Sequence, residues 1–147
     1  WKAGSRALLA LDENMAREQV KEMCAKVLSN RKPPYSLKGG LYDALVATGG
    51  DMFLATNEEA MEAKALFEQL EGIDIEPAAA VALASLMQCV RERRVEEDAV
   101  IMLNITGGGI ARYKKEFNPV MQKPDLVFPV NPNPEMVKEK VRELIGK

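Results

Sequence analysis

Thr106 heads three consecutive glycines, Gly107, Gly108 and Gly109, directly after the apolar run 99–105. A hydroxyl in that position can donate to, or accept from, a flat heteroaromatic cofactor. The glycines permit backbone conformations and close approaches that side chains obstruct. A run apolar at nearly every position, bounded by Asp98 and a glycine cluster, predicts a strand buried on both faces. Such strands belong to parallel sheets covered by helices. In that architecture ligands lie beyond the carboxyl ends of the strands, where Thr106 falls. The same pattern also fits a glycine turn that merely closes a strand, so the residues alone leave both readings open.

Other chemistry-bearing residues are sparse. Histidine is absent, which removes Ser-His and Cys-His nucleophiles and imidazole metal sites from these residues. Cys24 and Cys89 lack CxxC spacing. They read as small hydrophobes within helical patterns in a reducing compartment, not as a disulfide or metal pair. Arg31, Lys32 and Lys38 lie on a proline- and glycine-rich loop that could meet an anion, although solvated loops share this makeup. Lys38, beside Gly39-Gly40, reads as a surface lysine. Glu76 opens an apolar helix, where a carboxylate meets the positive end of the helix dipole. Capping is its simpler role, and Asn104 is assigned to satisfying backbone groups. Arg91, Arg93 and Arg94 with Glu92, Glu96 and Glu97 make a mixed-sign patch that reads as a solvated helix end. No residue of the chain is assigned a catalytic or metal-ligating role.

The elements that would position Thr106 follow from periodicity and punctuation. Residues 12–29 predict a helix with Val20, Met23, Cys24, Val27 and Leu28 on one stripe. Pro33-Pro34 breaks the pattern. Ser36 is expected to cap a second helix through Leu41, Tyr42, Leu45 and Val46, ended by Gly49-Gly50. A short strand is expected at 52–55. Thr56 and Glu59 then form a capping-box pattern, opening a helix with Ala60, Ala63, Phe67 and Leu70 inward and a stop near Gly72. A brief strand at 73–75 leads to Pro77, which suits a first helical position. The helix to about Glu92 is apolar nearly all round for three turns, as expected of a central helix. After the Thr106 strand, residues 112–116 read as a short polar segment and 126–130 as an edge strand. Asn133-Pro134 starts a last amphipathic helix, with Val137, Val141, Leu144 and Ile145 inward and Gly146 at its end. Alternating strands and helices predict an α/β fold with a largely parallel sheet flanked by helices. No repeat or linker divides residues 1–147, so one domain, or part of one, is expected.

Composition sets the context. The 147 residues are 47% hydrophobic and 29% charged, with formal net charge -2, an ordinary globular balance rather than a disordered one. No basic excess suggests nucleic acid, and no apolar stretch is long enough for a bilayer. A cytoplasmic setting is expected. The chain opens at Trp1 without an initiator methionine and reads as the carboxy-terminal portion of something longer.

The segment Glu71-Gly72-Ile73-Asp74-Ile75-Glu76-Pro77-Ala78-Ala79-Ala80, followed by a run ending in Thr106-Gly107-Gly108-Gly109, resembles the threonine synthases. These are fold-type II pyridoxal-phosphate enzymes, akin to the tryptophan synthase β chain in fold. In that group an EGI-x-x-EPA-x-A segment leads into a buried helix and a TG-x-G turn follows the next strand. Thr56-Asn57-Glu58-Glu59-Ala60 is similar too, so the matches run in the family's order from about Asp51 to Gly109. Mainstream members often carry serine at Ala79 and TGHG at Thr106–Gly109, and the wording of 30–40 departs as well. The whole chain looks closer to a relative of threonine synthase from methanogenic archaea. There sulfite replaces the phosphate of O-phospho-L-serine, giving L-cysteate for coenzyme M biosynthesis.

The resemblance implies pyridoxal 5'-phosphate as cofactor and gives Thr106 the role of hydroxyl partner to its pyridine nitrogen. A hydroxyl, unlike a carboxylate, does not hold that nitrogen protonated, which favours loss of a leaving group at the β carbon. It also implies that the cofactor-anchoring lysine, an asparagine beside the ring and the phosphate loop lie in an amino-terminal region. The present residues would then form one wall of the site and not catalyse alone. The implied partners are small molecules, O-phosphoserine and sulfite, and a second copy of the full-length chain. No nucleic acid or membrane is implied. Two other readings stay open: a threonine synthase acting on O-phosphohomoserine, and a non-catalytic α/β module that binds a partner or an anion.

Overall fold

Helix ends in this chain are set by short polar side chains, proline and glycine. The computed structural model describes residues 1–8, 10, 12–30, 32–120 and 122–146. Helix α1 (Glu13–Glu22) starts at Asp12, whose carboxylate accepts the amides of Asn14 and Met15. Helix α2 (Leu41–Thr48) follows a tight loop. Helix α3 (Asn57–Glu71) opens with the expected capping box. Thr56 accepts the Glu59 amide at 3.2 Å while Glu59 accepts the Thr56 amide at 2.9 Å, so two end donors are satisfied reciprocally. Gly72 closes α3 in the left-handed conformation, φ +71, which suits glycine. Helix α4 (Pro77–Arg91) begins with proline in its first turn. Helices α5 (Ile110–Phe117) and α6 (Pro134–Ile145) follow, α6 capped by the Asn133 side chain.

The expected parallel sheet is absent among the described residues. Residues 52–55, 99–105 and 126–130 form no strand, and 73–75 contributes only one antiparallel bridge, Ile75 to Gly108. A ladder needs a second segment alongside, about 4.8 Å away, and among the described residues these runs form none. Several of their side chains stand in solvent: Val100 is 101% exposed, Met102 91% and Leu54 89%, whereas Ile75 is buried with Ile105 packed against its cluster. Apolar, β-branched composition marks a segment that favours a half-buried pleated surface. Without a neighbour that preference stays unrealised, and the fold is helical with extended connectors rather than α/β.

Three further boundaries differ from expectation. Helix α1 stops at Glu22 instead of continuing to 29, because Asn57 takes its last groups. The Asn57 Oδ1 accepts the Cys24 amide at 2.9 Å and its Nδ2 donates to the Glu22 carbonyl at 2.8 Å. A single 3-10 turn, Lys26–Leu28, follows. Helix α2 starts at Leu41, not at Ser36, since 34–40 folds back on itself. The Gly40 amide donates to the Leu37 carbonyl at 2.9 Å and the Leu41 amide to that of Pro34 at 3.3 Å. Residues 112–116 are helical, within α5.

The chain divides into two units, Trp1–Glu116 and Phe117–Lys147. In the second, α6 half-buries Val137 and Val141, while Leu144 and Ile145 are exposed rather than inward. In the first, α3 packs on α4 through alanines: Ala60 and Ala63 on α3, Ala79, Ala80 and Ala84 on α4 are all buried. Small side chains let two helices approach closely. Ile75, Ala79 and Ala80 form the centre of this core, with Phe67, Leu83 and Ile105 packed against them. The central role expected of α4 is observed. Leu70, expected inward, is 69% exposed. No helix of the described residues is long and apolar enough to cross a membrane.

Ala63→Leu should force a larger side chain into a fully buried site and cost about 1–3 kcal/mol. Leu70→Ala should stay within about 0.5 kcal/mol. Urea denaturation of both variants checks the assignment of the α3 inner face.

Candidate functional site

The glycine turn after Ile105 is fixed by the segment that leads into α4. The Glu76 amide donates to the Gly107 carbonyl at 2.9 Å, and the Gly109 amide donates to the Asp74 carbonyl at 2.7 Å. Ile75 and Gly108 face one another across these bonds. The approach leaves no room for a side chain. A Cβ on Gly108 would lie 2.5 Å from the Asp74 carbonyl oxygen and 3.1 Å from the Ile75 Cα. One on Gly107 would meet the Glu76 Cγ at 3.3 Å.

Asp74 holds the far side of the turn. It is buried, and its carboxylate accepts the amides of Ala111 at 3.0 Å and, more weakly, Arg112 at 3.5 Å. These are free donors of the first turn of α5, so the carboxylate also meets the positive end of that helix. The Ala111 hydrogen bond, more than any other contact, holds the Asp74 carboxyl below its ordinary value of 3.8, with burial opposing. Sequence reasoning gave Asp74 no role, since its partner helix lies more than thirty positions downstream and no local pattern links them. Asn57 has no role in the sequence reading beyond its place in the 56–60 segment, for the same reason.

Thr106 is exposed and lines a recess of about 360 Å³. One wall is Thr106, Gly107, Glu76 and the first residues of α4, Pro77 and Ala78. The other is formed by residues 24–27. Glu76 occupies the N-cap position of α4, but its side chain makes no capping hydrogen bond, so it does not cap the helix as expected. Its stem lies against Gly107 instead. Cys24 and Cys89 are both free and half-buried, Cys24 outside any helix and on the recess wall.

The remaining candidates stand elsewhere. Lys32 and Lys38 are exposed on the 30–40 loop and do not line the recess, and Arg31 lies outside the described residues. The mixed-sign patch at the end of α4 is more than a solvated helix end. Arg94 bonds Asp51 at 2.5 Å and stacks over Phe53 at 4.6 Å, and Lys2 reaches the same carboxylate at 3.1 Å. Arg94, the Met52 amide and Lys2 together hold the Asp51 carboxyl at about 2. Among the described residues no group of three His, Cys, Asp or Glu is placed to hold a metal ion.

No protein-family profile matches the chain. Individual proteins do. Cysteate synthase of Methanosarcina mazei is 54% identical over 127 residues, 86% of this chain and 30% of that protein. Cysteate synthase of Methanocella paludicola is 50% identical over 127 residues, with the same two shares. The enzyme of that name from Methanosarcina acetivorans is 46% identical over 143 residues, 97% of this chain and 34% of the relative. The chain is a relative of the cysteate synthases. It spans about a third of the length of these cysteate synthases.

Two outcomes follow from the turn. Gly108→Ala should separate segments 74–76 and 107–109 and destabilise by about 3 kcal/mol, read by thermal or urea unfolding. Asp74 has a lowered carboxyl value in the folded state, so its contribution is full above its unfolded value and is lost as pH falls through the folded one. Asp74→Asn should therefore lower stability at neutral pH and flatten its decline in acid, measured as unfolding midpoints from pH 7 to pH 2.

Proposed function

We propose that this chain is part of a pyridoxal-phosphate enzyme that replaces the phosphate of O-phospho-L-serine by sulfite. The products are L-cysteate and phosphate, in the biosynthesis of coenzyme M. The observation that carries the reading is the identity of 46–54% to three proteins named cysteate synthase, over most of this chain. The shares of the relatives that are covered favour a portion of the enzyme, with the cofactor-anchoring lysine and phosphate loop supplied elsewhere.

The recess suits the edge of the cofactor ring. Thr106 offers an exposed hydroxyl there, and the glycines beside it bring backbone, not side chains, to the surface. When bound, the cofactor supplies electron withdrawal that loosens substituents of an amino-acid substrate. Thr106 would hydrogen-bond the pyridine nitrogen as a neutral partner and leave it without a fixed proton. That choice favours departure of phosphate from the β carbon and addition of sulfite sulfur in its place. Asp74 contributes by fixing the turn, and the α4 amino terminus by closing the recess. Thr106, Asp74 and the glycines hold and orient; none of them transfers a proton.

The deciding experiment measures phosphate release by the full-length enzyme loaded with pyridoxal phosphate. O-phosphoserine with sulfite is run beside O-phosphohomoserine with water. Release in the first reaction alone, with L-cysteate formed, is expected. Release in the second alone would make it a threonine synthase, and silence in both would leave a binding module. Thr106→Ala should shift the cofactor absorbance and lower turnover about tenfold, the scale of one lost hydrogen bond at the upper end of the usual range. Unchanged absorbance and kinetics would remove Thr106 from the site.

A further inference from the structure

Two walls bound the recess, and they belong to different parts of the chain. The wall carrying Thr106 is built on α4 and its leading segment. The wall of residues 24–27 has little packing of its own: Val27 is 84% exposed and only Ala25 is buried. Beyond Ala25 and the contact of the 3-10 turn with α4, its position depends on the chain that leads into it.

We propose that Asn57 is a positioning residue of the site, setting the distance of the 24–27 wall from Thr106 through its side-chain amide. The inference rests on the reading of this recess as the cofactor site. Asn57 is the first residue of α3, which packs on α4. From there it reaches across to the end of α1. Its Nδ2 donates to the Glu22 carbonyl at 2.8 Å and its Oδ1 accepts the Cys24 amide at 2.9 Å. A carboxamide supplies both a donor and an acceptor, which a carboxylate or a hydrophobe cannot. Between the two bonds Met23 turns extended, φ -71 and ψ 132, so the chain leaves the helical path at the point where Asn57 grips it. Residues after Cys24 then run along the recess. The 3-10 turn that follows touches α4 directly. One amide thus links the two walls through the packed pair of α3 and α4. Thr56, one position earlier, caps α3 and among the described residues makes no side-chain hydrogen bond with 22–24, and so separates the stability of α3 from the placement of the wall.

Cys24 lines the recess and serves as a native reporter. In the full-length enzyme its labelling by N-ethylmaleimide would be followed by mass spectrometry of the Cys24 peptide, with and without pyridoxal phosphate. Cofactor affinity would be titrated by absorbance, and KM and kcat for O-phosphoserine determined separately. Wild-type Cys24 should be shielded by the cofactor. Asn57→Ala should label about tenfold faster and hold the cofactor about tenfold more weakly, the scale of two lost hydrogen bonds. Asn57→Asp keeps the bond to Cys24 and loses that to Glu22, and should fall between. Thr56→Ala should lower the unfolding midpoint yet leave labelling and cofactor affinity unchanged. Equal changes in Thr56→Ala and Asn57→Ala would overturn the positioning role, as would no change in Asn57→Ala. An active wild-type enzyme whose Cys24 is not shielded would overturn this inference alone. A wild-type protein that neither binds pyridoxal phosphate nor releases phosphate would overturn the functional reading, and this inference with it.

Discussion

The close approach of residues 107–109 to residues 74–76 governs the first unit of this chain. Two backbone hydrogen bonds of opposite sense cross the gap, Glu76 to Gly107 and Gly109 to Asp74. They fit only because Gly108 presents no Cβ to the Asp74 carbonyl. Three features follow from that contact. Ile75 is driven to 1% exposure at the centre of the core, between α3 and α4. Thr106 is set beside the first turn of α4, which forms the wall of the recess. The chain after Gly109 is delivered to the Asp74 carboxylate, whose acceptance of the Ala111 amide starts α5. A single backbone pairing therefore sets a core residue, a hydroxyl-bearing residue on the recess wall and a helix start.

What the sequence made legible was whatever its neighbours in the chain decide. The Thr56 box, Pro77 and the Asn133-Pro134 start are local chemistry, and each opens its helix where expected. Elements whose ends are decided at a distance were not legible. Helix α5 has its cap at Asp74 and α1 has its end at Asn57, both more than thirty positions away. Nothing in 110–117 or 12–29 announces either. The strands fail for a related reason. Apolar runs such as 99–105 state a preference for burial against a neighbour, and pairing is a property of two segments, not one. The glycines after Thr106 leave open a ligand-facing turn or a plain strand end, and Thr106 lines a recess. The opposite wall, 24–27, was invisible because it was read as helix.

Helix α4 carries different physics at its two ends. Its amino terminus lacks a side-chain cap and borders the recess, so free amide donors and the positive end of the dipole lie near the cleft. Beyond its carboxy terminus, Arg94 is fastened to Asp51, whose carboxyl near 2 stays ionised across all but strongly acid conditions. Both partners are partly solvated, so this contact is an alignment of α4 with the 51–53 connector more than a large source of stability. Arg94 thus fastens the end of α4 away from the recess, while the pairing of 74–76 with 107–109 sets the end beside it.

The wording of the glycine turn can now be read as a packing constraint as well as a chemical one. Where mainstream threonine synthases often have TGHG, this chain has glycine at 108, and a Cβ there would stand 2.5 Å from a backbone oxygen. No rotamer relieves such a contact, because the obstructing atom is main chain and is itself held by the Gly109 amide. A histidine could be accommodated only by parting 74–76 from 107–109, which would expose Ile75 and move the Asp74 carboxylate away from α5. The third residue of this turn is therefore coupled to the core through backbone distance.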